Sequence, residues 1–218
     1  MIHLVTAENR ALYEREMREF HRLRHDIYIG ERKWQGLRSL DGLEFDDFDT
    51  DQAIYFVAIE HDRVVGGTRL YPTTLPHMLS TVCPELADVR GIPRGDDVYE
   101  WTRLFAIKER REGRYGGGLV GELWSAVLEY ALAEGINTIQ FCFEVWWLPR
   151  LQQMGWKVKP LGLPTLINDE WWMAITFDVT PELLQSIRTY QGISRSVLVR
   201  HGLPVAAERE EIPQRKVS

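Results

Sequence analysis

The chain has 218 residues, 44% of them hydrophobic and 27% charged, which suits one domain with a sizeable core that needs no disulfide or metal to hold it. Its formal net charge of -6 argues against general nucleic-acid binding through a basic surface and against adhesion to an anionic membrane. Cys83 and Cys142 are far apart in no metal-ligand spacing, Met1 leads into a polar helical pattern, and no apolar run approaches the ~20 residues of a membrane span, so a reduced cytoplasmic protein is expected.

Residues 2–5 predict a short strand. Thr6 is placed to cap a helix in which Leu12, Tyr13, Met17, Phe20, Leu23 and Ile27 recur at helical spacing, bringing Arg24 and Tyr28 to one face. Residues 30–51 have weak periodicity and predict a loop. It carries Trp34 and then Asp41, Glu44, Asp46, Asp47, Asp49 and Asp51, with no Lys or Arg between positions 41 and 51. Such a run is either a solvated loop or a site for a cationic ligand. Residues 53–60 and 63–71 predict a hairpin turning at His61-Asp62, with Arg69 on its second strand. Gly66 and Gly67 there mark a bulge, a close approach or weak packing.

Residues 72–97 hold four of the ten prolines and predict a connection with a short helix around 77–82. The next strand, 98–107, organises the chain. It sets Glu100 and Arg103 in an apolar segment, where ionisable groups need partners or a ligand. Their odd separation puts them on opposite faces of an ideal strand, so a shared site demands a bulge or splay near Trp101-Thr102. Lys108, Arg110, Arg111 and Arg114 then lead to Gly116, Gly117 and Gly118 at a helix N-terminus. That combination is either a phosphate cradle or a solvated basic run. The apolar stripe from Leu119 to Leu132 predicts the helix, and Gly135 closes it. A strand at 136–145, a short helix at 147–154 and strands at 156–161 and 171–178 follow, and Thr180-Pro181 opens a last helix. The domain is expected to span 1–205, with a charged, mobile tail from 206 to 218. His21 and His25 lie four apart on a helix without a convincing third ligand, so no metal site is expected. Eight tryptophans point to aromatic core packing or to a large aromatic-lined pocket.

This order predicts a single-domain mixed α/β sheet flanked by helices, an architecture similar at fold level to the GNAT acyltransferases. Read together, Arg24, Tyr28 and Trp34, then Glu44-Phe45-Asp46-Asp47-Phe48-Asp49, Arg69 in Gly-Gly-Thr-Arg-Leu, and Glu100-Trp101-Thr102-Arg103 resemble the motif set of LuxI-type acyl-homoserine-lactone synthases over roughly residues 1–180. The resemblance implies a GNAT-like sheet with a splayed central strand, and quorum-signal synthesis. In that reaction the amine of S-adenosylmethionine (SAM) attacks an acyl thioester, and its carboxylate then closes a lactone and expels methylthioadenosine. SAM and the acyl donor are substrates, and no cofactor is expected.

The SAM pocket is assigned on this basis to Arg24, Tyr28, Trp34, Asp46, Asp49 and Arg69, with Arg24 and Arg69 equally readable as ion-pair partners of Asp46 or Asp49. Glu100 is the expected base, acting with Arg103. Arg110, Arg111, Arg114, Gly116 and Gly117 are assigned to the donor's phosphate or pantetheine. Phe105, Trp124, Phe143, Trp146 and Trp147 are assigned to an acyl pocket. The donor is acyl-CoA or acyl carrier protein. An acidic synthase gains no long-range steering toward an acidic carrier, which tilts the expectation to CoA. Two departures stand out. Tyr28 replaces the family's usual Phe, and Phe143 lies near a position where synthases selecting 3-oxo chains tend to place a Thr, which counts against a 3-oxo chain. A short pocket lined by Phe143, Trp146 and Trp147 with Trp124 or Leu128 leads to the expectation of a short branched or aryl acyl group, the alternative being that these rings only pack helix to sheet. A GNAT-type N-acetyltransferase for another amine is the alternative, although Arg114 to Leu119 satisfy only the start of that family's phosphate loop.

Overall fold

The computed structural model describes residues 1–34, 36–111 and 118–203. Strand β1 (Ile2–Val5) leads to a 3-10 turn (Arg10–Tyr13), helix α1 (Glu14–Arg24) and a π-helical extension (His25–Glu31). The start of this helical segment differs from the Thr6 cap read in the sequence. Asn9 is the buried anchor: its side chain accepts the Thr6 N–H and donates to the carbonyls of Leu4 and His201. Residues 38–45 form a small hairpin, β2 (Arg38–Leu40) and β3 (Leu43–Phe45), where only a loop was expected. Then come β4 (Ile54–Glu60), β5 (Arg63–Pro72), α2 (Met78–Thr81), β6 (Val98–Ala106), α3 (Lys108–Arg111), α4 (Leu119–Glu134) and β7 (Thr138–Glu144). The remaining elements are α5 (Leu148–Gln153), β8 (Lys159–Pro160), β9 (Thr165–Ile167), β10 (Glu170–Asp178), α6 (Pro181–Gln191) and β11 (Leu198–Val199). The strand expected over 156–161 contracts to β8, because Trp156 is buried in the core instead of pairing along an edge. Among the described residues no helix is long and apolar enough to cross a membrane.

The main sheet runs β11-β1-β4-β5-β6-β7-β10-β8, with β9 on the end of β10. It is mixed: β1/β11 and β6/β7 are parallel and the other pairings antiparallel. One face packs on α4 and α6 through Leu123, Val127, Leu128 and Ile187. The other packs on α1 and the 3-10 turn before it through Tyr13, Met17 and Phe20. That second contact explains Gly67, where an added Cβ would lie 2.4 Å from Phe20 Cε2 and 2.7 Å from the Phe56 carbonyl oxygen. The glycine is there for close approach of a ring.

The central strand breaks its ladder in two ways. Gly67 pairs with Phe105 and Arg69 with Thr102, so Thr68 faces both Arg103 and Leu104 across a β-bulge. Arg103 adopts φ 55°, in the left-handed region. Thr68 is buried at the kink, where its hydroxyl donates to the Thr102 carbonyl at 2.9 Å and accepts the Trp101 indole N–H. Pairing of β6 with β7 stops at Glu100–Gln140. Beyond that point the parallel strands part and leave a cleft.

Candidate active site

The bulge sends Thr102 and Arg103 to the same side of the sheet. Thr102 Oγ1 accepts Arg69 Nε at 3.1 Å, and Arg103 reaches Glu44 Oε1 at 3.0 Å and Asp46 Oδ2 at 2.9 Å. Around them three arginines face three acids from β2–β3 and the loop after it. Arg24 donates to Glu44 and to both oxygens of Asp49 at 2.7 and 3.0 Å. Arg69 grips Asp46 with two bonds of 2.6 and 2.9 Å and touches Asp49 at 2.8 Å. Burial alone would push the Asp46 and Asp49 carboxyls up, but Arg69 beside Asp46 and Arg24 beside Asp49 overcome it and hold both below the usual carboxylate range. Asp46 and Asp49 are therefore ionised, and the set pairs three arginines with three acids in one buried ion cluster.

This cluster is the wall of a cavity of about 730 Å³. Asp46, Arg103, Tyr28 and Trp34 line it. Trp34 stacks on Tyr28 at 4.8 Å and meets Trp172 edge-on at 5.7 Å, and the Arg103 guanidinium lies over the Tyr28 ring at 5.6 Å. Arg24, Arg69 and Asp49 are not among the residues lining the cavity: their charged groups pair with one another behind it, the ion-pair reading that the sequence left open for the two arginines. They frame Asp46 and Arg103 instead. The Tyr28 hydroxyl, the departure from the family's Phe, donates to the Leu104 carbonyl at the bulge at 2.9 Å and ties the π-helical turn to the kinked strand.

Glu100 lies across the same cavity. Its two oxygens accept the backbone N–H groups of Met78 at 2.8 Å and Leu79 at 2.6 Å from α2. Burial outweighs these bonds and raises its pKa to about 7. A carboxyl so placed exchanges a proton near neutrality.

The far end of the cavity is apolar. Trp124, Phe143 and Trp147 line it, together with Trp101, Phe141 and Trp156, which the sequence reading did not single out. Phe105 is not among them: it packs on Phe20 at 4.9 Å on the α1 face, where the bulge turns it. Trp146 is 55% exposed and stacks on the outside of Trp147 at 4.7 Å. Arg32 bridges the rim to Glu144 at 2.9 Å, a pair for which the sequence carried no signal beyond charge. Of the basic run, Arg110 pairs with Glu60 at 2.7 Å and Arg111 pairs with Glu31 and the Ala106 carbonyl, while Arg114, Gly116 and Gly117 lie outside the described residues, as does the tail from 206.

A mixed sheet bulged and splayed at its centre, with a neutral-range carboxyl and an aromatic cavity at the splay, defines a GNAT-like acyltransferase. The autoinducer synthase family model matches residues 8–187. The isovaleryl-homoserine lactone synthase of Bradyrhizobium diazoefficiens is 45% identical over 193 residues, covering 88% of this chain and 86% of that protein. Two solved CoA-dependent acyl-homoserine lactone synthases share the architecture. BjaI, determined with SAM and isopentyl-CoA, is 42% identical with a TM-score of 0.87, covering 94% of this chain and 95% of its own. MesI is 36% identical with a TM-score of 0.83, covering 91% and 99%. The chain belongs to the autoinducer synthase family and is an acyl-homoserine-lactone synthase, a transferase of quorum-signal synthesis. That membership sets aside the N-acetyltransferase alternative.

Proposed function

We propose that the enzyme joins SAM to a short branched or aryl acyl-CoA, giving an N-acyl-L-homoserine lactone and methylthioadenosine. The observation that carries this reading is the opposition, across one cavity, of an acidic–aromatic wall and a carboxyl poised near neutrality. SAM brings a sulfonium, an amine and a carboxylate. Asp46, kept ionised, meets a cationic group, the Tyr28–Trp34 stack offers an aromatic face, and Arg103, whose side chain lines the cavity, offers its positive charge to the carboxylate. Glu100 takes the proton that the amine must lose before it attacks the thioester, directly or through a water. The edge of β6 beyond Glu100, unpaired toward β7, supplies backbone groups for the pantetheine arm and the thioester carbonyl. Lactone closure is intramolecular within the bound product, so conformation lowers much of its barrier.

Neither step needs a metal or cofactor. Substrates of this kind imply a cytoplasmic enzyme. The named chemistry of the relatives, isovaleryl and isopentyl-CoA, supports the CoA donor and a branched chain. Phe143 supports it too, since it offers no hydrogen bond to a 3-oxo group. Release of methylthioadenosine from purified protein, SAM and a panel of acyl-CoAs tests the proposal. Release that depends on a branched or aryl acyl-CoA is expected. Preference for long or 3-oxo chains overturns the chain assignment, and activity only with acyl carrier protein overturns the donor.

A further inference from the structure

Cys83 and Cys142 stand 59 positions apart, yet their sulfurs meet at 3.9 Å. Both are free thiols, and both line the substrate cavity. Cys83 follows α2, the element whose N–H groups hold Glu100, and its Sγ lies 4.0 Å from the carbonyl of Met78, one of those two residues. Cys142 sits in β7 between Phe141 and Phe143, its side chain on the opposite face of the strand from those rings, packed with Cys83 against Leu79 and Leu86. The two sulfurs therefore face each other between the segment that positions the base and the strand that shapes the acyl end.

We propose that Cys83 and Cys142 form a reversible intramolecular disulfide under peroxide, and that this cross-link switches the synthase off. A disulfide has an S–S length of about 2.05 Å, so the thiols close by roughly 2 Å, within reach of side-chain rotation and a small shift of the segment after α2. The shift draws Cys83 toward β7, disturbs the Met78 and Leu79 donors to Glu100 and narrows the cavity between its walls. Cys83 reacts first. The hydrogen bond from Cys83, and then burial, hold the Cys142 thiol protonated well above its ordinary range. The Cys83 thiol gives its proton to water, the thiolate attacks one peroxide oxygen, the O–O bond breaks, and the departing hydroxide takes up that proton as water, leaving a sulfenic acid. Cys142 sulfur then attacks the Cys83 sulfur, and the sulfenic hydroxyl leaves with the Cys142 proton as a second water. Two thiols have lost two hydrogens and two electrons, and one peroxide has become two waters. A dithiol reductant reverses the bond by exchange.

The inference rests on the proposed reaction, and its test keeps the two apart. The full chain is treated with hydrogen peroxide and followed by thiol titration, intact mass, peptide mapping without reduction, and methylthioadenosine release from SAM and an accepted acyl-CoA. Both thiols are expected to vanish together with loss of two hydrogens and a Cys83–Cys142 cross-linked peptide. Release should fall about tenfold or more, the scale set by a displaced catalytic group, and dithiothreitol should restore it. In Cys83→Ser and Cys142→Ser the ratio of activity with and without peroxide should stay near unity. Oxygen addition to separate thiols without a cross-link overturns the proposal. So does a cross-linked enzyme that turns over normally, or serine variants inactivated like the wild type. Reduced protein silent toward every acyl-CoA and acyl carrier protein overturns the reaction beneath it, whereas an active enzyme indifferent to its disulfide overturns the switch alone.

Discussion

Two backbone N–H donors ordinarily make a carboxyl more acidic, and Glu100 has them from Met78 and Leu79, yet burial lifts it to about 7. As a base it acts in the ionised form, so turnover should rise with pH through a limb near 7. Glu100→Gln should lower turnover about 10²-fold or more and erase that limb, as read from the pH profile of methylthioadenosine release. A variant that keeps the limb would move the base elsewhere. Tyr28 allows a finer test, because Tyr28→Phe removes only the hydroxyl that donates to Leu104. The Leu104 carbonyl loses its partner at the kink, which should cost about 1 kcal/mol in urea unfolding and lower kcat more than it raises KM. The sequence supplied the residue types of this site through ordered motifs, but which charges reach substrate was not legible there. Arg24 and Arg103 look alike in one dimension. Only their surroundings separate them: Arg24 is satisfied by Glu44 and Asp49 behind the wall, while Arg103 stands on the bulge and lines the cavity.

At the scale of elements, the odd spacing of Glu100 and Arg103 was the most informative line of the sequence, since two charges cannot share a face of a regular strand. The structure answers with a bulge, at Arg103–Leu104 and not at Trp101-Thr102, which pair regularly with Leu70 and Arg69. The consequence for Phe105 was missed because an extra residue shifts the alternation after it, sending that ring to α1 and out of the cavity. Strands β9 and β11 were illegible for another reason: two or three residues carry no periodicity, and their pairing with β10 and β1 is decided by tertiary contact. The glycine pair of β5 gives a test at this scale. In Gly67→Ala the new Cβ meets Phe20 and the Phe56 carbonyl, both fixed in the core. Overpacking of about 1–3 kcal/mol is expected, seen as a fall of several degrees in Tm. Because α1 carries Arg24 and leads to Tyr28, its displacement should weaken SAM binding as well. A variant as stable as wild type would mean that the ring moves freely, against the packing described.

Over the whole molecule, buried groups of opposite sign shape the response to pH. Glu100 titrates at about 7 in the fold against an ordinary 4.5, so the folded state takes up its proton first and stability grows as pH falls from about 7 to 4.5. At about 1.4 kcal/mol per unit the gain is on the order of 3 kcal/mol. His21 does the reverse. Burial, and then Arg24, lower it to about 4 from 6.5, so the unfolded chain takes the proton first and stability is lost across nearly the same window, by a similar amount. His77, also lowered by burial, adds to that loss. Asp46 and Asp49 lie below their ordinary 3.8, so their contribution is complete above that value and disappears as pH falls beneath it. The wild-type unfolding free energy, measured in urea, should therefore be nearly level from pH 7 to 4.5 and fall progressively below 4, where the unfolded chain takes up protons that the native, arginine-paired Asp46 and Asp49 do not. Glu100→Gln removes the compensating gain without touching His21, so its stability should already decline by about 2–3 kcal/mol between pH 6.5 and 4.5. Parallel curves for the two proteins would mean that the Glu100 carboxyl is not held near neutrality, and the assignment of the base would lose its physical ground along with the compensation.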